Sequence, residues 1–442
     1  MSLVSQNTHS DLVVAKFGGT SVADYASMSR CADIVLANPA TRLVVVSASS
    51  GVTNLLVELT QANVNDERRL TLLKQIAQIQ YAILDELGRP QDVAASIDKI
   101  LSRMSVLSES LELDRSKAIM DELLSTGEQC SSILFSAVIR EKGTASDHFD
   151  VRQVLRTDSH FGRAEPHVEA IASLSGDFLK PLLTKYIIVT QGFIGADQDG
   201  RTTTLGRGGS DYSAALLAEA LNASAVEIWT DVAGIYTTDP RIAPKASPIP
   251  EISFSEASEM ANFGAKILHP STLVPALRHQ IPVFVGSSKA PELGGTWIRQ
   301  QVESSPLFRA LALRCNQTMV TLRSANMFHA YGFLAKVFEI LAKHKISVDL
   351  ITTSEISVSL TLDQTDTSGG APELPEAARI ELEELCSVDI EHDLCLVALI
   401  GNNMSESKGY AKQVFGTLED FNLRMICYGA SPHNLCFLLD ES

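Results

Sequence analysis

Residues up to about 300 predict an α/β fold, an open and mostly parallel sheet with helices on both faces, and the rest predicts a duplicated α+β module. Three features of the sequence carry this. Continuous apolar runs of strand length alternate with helix-like stretches through about residue 300, and glycines and hydroxyl residues follow those runs. Five residues of the C-terminal part recur at a single ungapped offset. Apolar runs that do not alternate indicate strands buried on both faces, as a parallel sheet covered by helices requires.

In chain order, LVVA (12–15) leads into KFGGTS and then a helical pattern with Val22, Tyr25, Met28, Ala32, Val35 and Leu36 on one face. LVVV (43–46) leads into SASSGVTN and a second helix. Residues 66–143 are charged and leucine-rich at helical spacing, which predicts a helical layer or subdomain. YIIVT (186–190) ends at QGFIG, VEIWT (226–230) ends at DVAGIYTTDP, and PVFVGSS (282–288) reads as a last strand of the same kind. Ligands in such folds bind outside the carboxyl ends of the strands. Four turns rich in glycine or hydroxyls fall there: Gly18-Gly19-Thr20-Ser21, Ser47 to Thr53, Gly192 to Gly195, and Gly206 to Ser210.

Residues 286–308 combine Gly, Pro and Ser and read as a connection between domains. Beyond it Gly332, Val337, Phe338, Leu341 and Ser354 recur 77 residues later as Gly409, Val414, Phe415, Leu418 and Ser431. Each copy reads helix, strand, turn, strand, so two βαββ-type modules are expected, with the polar loop 365–376 inside the first.

The length of 442 residues suggests two to four domains. A chain that is 45% hydrophobic and 20% charged has the composition of a folded soluble protein. Its 53 acidic and 36 basic residues give a net charge of −17, which disfavours nucleic acid and anionic membrane as partners. No apolar run approaches the roughly 20 residues that span a bilayer. The N-terminus lacks a basic segment followed by an apolar one, so a cytoplasmic location is expected. The seven cysteines form no CxxC pair and read as reduced, mostly buried thiols; the ten dispersed histidines offer no zinc motif.

The usual anchors of other enzyme classes are missing. The sequence has no GxxxxGK[ST], no HRD or DFG, no GxSxG and no complete GxGxxG. What remains is an anion cradle. Lys16 ends a strand and is followed by two glycines, with Thr20 and Ser21 at an expected helix start, where backbone N–H groups and the helix dipole favour phosphate. The combination recurs at Arg207-Gly208-Gly209-Ser210-Asp211, where Ser210 or Asp211 is expected to cap the helix through Ala214 and Leu217. Either loop alone reads equally as a tight turn with a helix cap. Two of them in so acidic a chain, with Arg241 and Lys266 also beside turns, favour anion binding.

KFGGTSVAD (16–24), TTTLGRGGSDYSAALLAEAL (202–221), WTDVAGIYTTDPR (229–241) and FGAKILHP (263–270) closely resemble aspartate kinase, a family that phosphorylates the β-carboxylate of L-aspartate with ATP. The resemblance runs along essentially the whole chain. The C-terminal modules resemble the family's tandem ACT domains, and MFHAYGFLAKVFEILAKHKISVDLITTSE resembles the lysine-sensitive, monofunctional type. It implies a catalytic domain of amino-acid-kinase fold over 1–295 and ACT-like regulatory domains over 308–442. The first module spans about 317–390 and the second about 391–442, with a strand from about 308–315.

An aspartate side chain, with a pKa of about 3.9, is already ionised at neutral pH and needs no general base. The difficulty is bringing it to a polyphosphate, so catalysis means positioning plus cations. By resemblance, Lys16 bridges the phosphates and Asp211 orients the site. Lys16, Phe17, Gly18, Gly19, Thr230, Asp231, Tyr236, Arg241, Lys266 and Ile267 form the nucleotide side. Mg²⁺ is expected to keep mostly phosphate and water ligands. For aspartate, Arg207 supplies a planar fork for the α-carboxylate, Glu128 an acceptor for the ammonium, and Ser47, Thr53 and Ser210 hydroxyls.

The family's lysine site, which lies between two subunits, is matched by Met327, Phe333, Leu334, Ser347, Val348, Asp349, Thr353, Ser354 and Glu355, with Asp349 and Glu355 as acceptors for ammonium groups. Ala330 stands where the family type has serine, which predicts weaker lysine sensitivity. The sequence stops at LLDES just after a strand, where relatives continue into a further helix. A homo-oligomer, dimeric or tetrameric through the ACT-like domains, is expected. Two rival readings are a glutamate-type acyl-phosphate kinase and a non-catalytic amino-acid sensor; Lys16, Arg207 and Asp211 argue against the second. The length is expected to leave no room for a fused dehydrogenase.

Overall fold

The computed structural model of the protein describes residues 11–264, 268, 270–327, 331–363, 372–404 and 406–440. The chain forms two compact units. One holds the chain up to Ile235, Pro248–Phe254 and the segment ending at Val302; the other holds Tyr236–Ser247, the segment beginning at Ser255, and Glu303 onward. The expected break near 295–308 is therefore accompanied by two short segments, 236–247 and part of 255–265, that fold with the C-terminal unit although they lie within the expected catalytic region.

The first unit is built on strands β1 (Val13–Phe17), β2 (Thr41–Val46), β3 (Ser146–Phe149), β4 (Ile187–Gln191), β7 (Ala225–Thr230), β8 (Glu251–Ser253), β9 (Val283–Ser287) and β10 (Gly295–Arg299). A separate short hairpin is made by β5 (Ile194–Ala196) and β6 (Thr202–Thr204). The sheet order is β3-β4-β2-β1-β7-β9-β10-β8, parallel except where β10 meets β9. All five expected strands are present. β1, β4 and most of β2, β7 and β9 are buried residue after residue, as unalternated apolar runs require.

From β1 the chain works outward in one direction through β2, β4 and β3 and in the other through β7 and β9. This reversal opens a crevice beyond the carboxyl end of β1. The ladder continues just past the strands: Gly18 N–H donates to Trp229 O at 3.1 Å, Ser47 N–H to Phe17 O at 3.1 Å, and Gly192 N–H to Val46 O at 2.9 Å. Four strand ends are thus held in register where the glycine-rich turns begin.

The layer expected over 66–143 comprises three long helices, Asp66–Glu86, Gln91–Leu113 and Lys117–Glu141. The third is buried along most of its length, from Asp121 to Ile139. It passes so close to the turn after β2 that a Cβ on Gly127 would lie 2.8 Å from the Ala48 methyl and 3.2 Å from Val52 and Leu56.

The second unit is organised by two long antiparallel strands, β11 (Phe308–Arg323) and β14 (Ser387–Gly401). With β12 (Val348–Thr353), β13 (Ser357–Leu362), β15 (Leu423–Tyr428) and β16 (Asn434–Asp440) they form one sheet of order β12-β13-β11-β14-β16-β15. Residues 319–323 of β11 serve the first module beside β13, while 308–317 pair with 394–401 in the second. The register shifts between Arg314 and Met319 mark the change. The repeated glycines have a backbone reason. Gly332 (φ +81°) and Gly409 (φ +86°) are left-handed residues leading into the helices Phe333–Lys343 and Tyr410–Thr417. Val337 and Leu341 then pack with Val320, Leu322, Val358 and Leu360, while Val414 and Leu418 pack beside Phe437 and Leu435.

Two glycines predict opposite stability changes. A Cβ on Gly401 would overlap the Leu307 carbonyl oxygen, so Gly401→Ala is expected to lower the stability of this unit by about 2 kcal/mol or more in urea unfolding. Gly416 lies in a helix with open space around it, and Gly416→Ala is expected to raise stability by about 0.5 kcal/mol.

Candidate active site

Beyond the end of β1 lies an open cleft of about 290 Å³ lined by Lys16, Ser47, Thr53, Glu128, Phe193, Gly206, Arg207, Gly208, Gly209, Ser210 and Asp211. All seven residues expected for catalysis and aspartate binding are in this lining. They come from the ends of β1 and β2, the first turn of the helix Val52–Leu59, the middle of the helix Lys117–Glu141, and the loop and first turn of the helix Gly209–Leu221.

Lys16 is the penultimate residue of β1 and is largely buried; its ammonium forms an ion pair with Asp211 Oδ1. A cation is thus fixed at the strand end, where a phosphoryl oxygen can take over as its partner. The loop with Arg207 is shaped by Gly206 (φ +77°) and Gly208 (φ +72°). Gly208, not Ser210 or Asp211, is the N-cap, and those two residues lie in the first helical turn. Asp211 is therefore available to Lys16. Arg207 is exposed, and among the described residues its guanidinium has no hydrogen-bond or ion-pair partner. A free planar cation at the mouth suits a carboxylate.

Glu128 is only 4% exposed and accepts a hydrogen bond from Ala48 N–H at 3.1 Å. Burial pushes its carboxyl up to about 8, against the smaller opposing effects of backbone hydrogen bonds and nearby Lys16. An ammonium entering the cleft would favour the ionised form and bind it tightly.

Phe193 lines the cleft but escaped the sequence reading. It holds a left-handed backbone (φ +71°) in the QGFIG turn, stabilised by its N–H bond to Ser213 Oγ at 3.0 Å. The adjacent Gly192 is obligatory, because a Cβ there would lie 2.6 Å from that of Ser210.

The nucleotide residues are less gathered. Phe17 has a fully buried side chain packed on Phe135 and Trp229, so it can offer a ligand only its backbone. The expected helix start at Thr20 and Ser21 is a single 3₁₀ turn, Gly19–Val22, and the α-helix Tyr25–Ala37 begins after an Asp24 cap. Gly18 and Gly19 follow β1, Thr230 ends β7 and Asp231 follows it, but none of these four lines the cleft. Tyr236 and Arg241 belong to the segment that folds with the second unit, where Arg241 is paired with Asp239 at 2.6 Å. Lys266 and Ile267 lie outside the described residues.

A model of the amino acid kinase family matches residues 11–287, and one of the ACT domain matches 320–374 and 397–442. The chain is 57% identical over 431 residues to lysine-sensitive aspartokinase 3 of Escherichia coli (strain K12), covering 97% of this chain and 96% of that protein. The chain belongs to the aspartokinases. It is also 33% identical over 431 residues to the aspartokinase of Chlamydia pneumoniae, covering 97% and 94%. Among solved structures, E. coli aspartokinase III in complex with aspartate and ADP (R-state) matches with a TM-score of 0.89 and 57% identity, covering 97% and 96%. The same enzyme in complex with lysine and aspartate (T-state) matches at 0.84 and 56%, covering 98% and 96%.

In this aspartokinase the residues expected to bind an effector lie in the first module. Met327, Phe333 and Val348 pack on its core, whereas Leu334 remains 40% exposed at the start of its helix. Ser347 precedes β12; Asp349 and Thr353 lie within it. Ser354 and Glu355 form the following turn, with Ser354 Oγ 2.7 Å from Ser357 Oγ. Asp349 is not a free acceptor: it forms an ion pair with Arg314 of β11, whose Nε also donates to Gln317 Oε1 at 3.1 Å. Ala330 lies outside the described residues.

Glu128 predicts a pH effect on stability. A carboxyl raised in the folded state holds its proton between the unfolded value and about 8, so its contribution is undiminished at low pH and declines as pH rises through that window. Without substrate, Glu128→Gln is expected to match the wild type near pH 4.5 and to melt at a higher temperature at pH 8, as read by calorimetry.

Proposed function

We infer that this chain transfers the γ-phosphoryl group of ATP to the β-carboxylate of L-aspartate, giving 4-phospho-L-aspartate, and that L-lysine inhibits it. The observation that carries the reading is the single cleft in which Lys16, Asp211, Arg207 and Glu128 converge. It adds to the 57% identity shared with a lysine-sensitive aspartokinase over nearly the full length of both chains.

The substrate carboxylate is the nucleophile and arrives ionised, so these residues position and neutralise. We assign Glu128 to the α-ammonium and Arg207 to the α-carboxylate, which leaves the β-carboxylate directed toward Lys16. The Lys16 ammonium, placed by Asp211, would stabilise charge on the transferring phosphoryl oxygens. Ser47, Thr53 and Ser210 offer hydroxyls around it, and Gly18, Gly19, Thr230 and Asp231 extend toward the nucleotide. Among the described residues no group of three His, Cys, Asp or Glu side chains is disposed to hold a metal ion. Asp211 is engaged by Lys16, so Mg²⁺ entering with ATP would take its ligands from phosphate oxygens and water, and its chemistry is charge neutralisation.

For lysine, Glu355 and Asp349 are the proposed ammonium acceptors, Asp349 by sharing or giving up its ion pair with Arg314, and a homo-oligomer through the second unit is the proposed assembly. Binding inhibits only insofar as lysine prefers an arrangement of low activity.

Release of ADP, coupled to an optical readout, tests the reading with aspartate, glutamate and acetylglutamate, each with and without lysine. Turnover is expected with aspartate alone among them and is expected to fall with lysine. Lys16→Ala and Asp211→Ala are each expected to lower kcat at least about tenfold, a loss of roughly 1.4 kcal/mol of transition-state stabilisation. A turnover close to wild type in either folded variant would remove its assigned role.

Control is tested separately. Asp349→Ala is expected to leave kcat within about twofold while raising the lysine concentration for half-inhibition about fiftyfold, equivalent to about 2.3 kcal/mol. Indifference of the wild type to millimolar lysine would overturn the effector assignment and leave the kinase reading intact.

A further inference from the structure

The helix Lys117–Glu141 carries a second buried acid, Asp121, two turns before Glu128 and therefore on the same side of the helix. It is only 2% exposed and is not part of the lining of the cleft that holds Lys16 and Arg207. One of its oxygens, Oδ2, accepts two backbone hydrogen bonds, from Thr204 N–H at 2.8 Å and from Gly162 N–H at 2.9 Å.

Both partners bear on the loop that carries Arg207. Thr204 is the last residue of β6, three positions before Arg207. Gly162 belongs to the loop 158–165, which is tied back to β6 by Ala164 N–H on Thr204 O at 2.8 Å. Gly162 also packs under Gly206, where a Cβ would come within 3.3 Å of its carbonyl oxygen. Arg207 itself has no internal partner among the described residues, so its position is set by the anchors of its loop. On its N-terminal side these anchors are the Leu205 N–H bond to Phe193 O at 2.9 Å and the hold of Asp121 on Thr204 and Gly162, and the second ties the loop to the helix that carries Glu128.

We propose that Asp121 is a positioning residue for the amino-acid substrate: it fixes the distance between Glu128, on its own rigid helix, and Arg207, on the loop it holds. Resting on the assignment of those two residues to the two charged ends of aspartate, this makes Asp121 a determinant of pocket depth and hence of selectivity between aspartate and its longer homologue. Shape matters here more than charge, because an amide oxygen in the same place can accept the same two N–H bonds.

The test is steady-state kinetics of the full chain with Asp121→Ala, Asp121→Ser and Asp121→Asn. Alanine and serine are expected to raise the KM for aspartate at least tenfold and leave the KM for ATP within twofold. They are also expected to reduce the preference for aspartate over glutamate in kcat/KM at least fivefold. Asparagine is expected to restore the KM for aspartate to within threefold of wild type. Serine carries the comparison if alanine does not fold, and asparagine against wild type carries it if neither does. A parallel rise of both KM values, an unchanged aspartate KM in a folded Ala or Ser variant, or an Asn variant that fails to rescue would overturn the proposal. A wild type inactive with aspartate would instead bring down the substrate reading on which it rests.

Discussion

An ammonium held at the carboxyl end of the central strand is the interaction around which the first unit is arranged. Lys16 sits where a residue of a parallel sheet would normally be apolar, and Val14, Ala15 and Phe17 around it are fully buried. Removing a charge from water there is costly, and its pairing with Asp211 offsets that cost without making the pair a large source of stability. What the pair secures is place. In a chain of net charge −17, a cation proposed to meet a polyphosphate has to be prevented from seeking other acids, and one acid of fixed position does so. The glycines nearby serve the same end, since Gly192 brings the turn after β4 against Ser210, next to Asp211.

The cleft therefore combines two charge arrangements with different physical roles. Lys16 and Asp211 are matched before any ligand arrives. Glu128 and Arg207 are unmatched: one is a buried carboxyl that favours its neutral form, the other an exposed guanidinium without a partner among the described residues. On the proposed assignment a zwitterionic amino acid would satisfy both at once, so that ligand binding would supply what the folded chain withholds from itself.

Much of this was legible in the sequence, for identifiable reasons. Strands buried on both faces announce themselves as apolar runs, and the five contiguous strands β4, β2, β1, β7 and β9 of the first unit were evident; β3 was not, because SDHF is half exposed at the edge of the sheet. The two cationic loops were evident from glycine spacing, and Lys16 of the first meets Arg207 to Asp211 of the second in one cleft, while Gly18 to Ser21 stay outside its lining. Their capping was misplaced, since Ser210 and Asp211 are good capping residues but the left-handed Gly208 takes that position. Phe193 was hidden because a positive φ on a non-glycine residue has no reliable sequence signal. The partner of Asp349 was equally out of reach: Arg314 lies 35 positions earlier, beside a register shift in β11 that no periodicity reports. The division of segments 236–247 and 255–264 from their neighbours depends on long-range packing and could not be read locally.

The strand sharing in the second unit has a consequence for how the protein is made. The first half of β11 precedes the whole of the first module, yet its pairing partner on β14 begins only at Leu394. A ribosome therefore delivers this strand some eighty residues before the strand that will bind it, while the first module has all its own strands by Glu391. On a growing chain the first module is complete while the second still lacks a partner for its opening strand. The same nesting constrains inheritance: a recombination event with one breakpoint cannot transplant the second module, because its strands lie on both sides of the first.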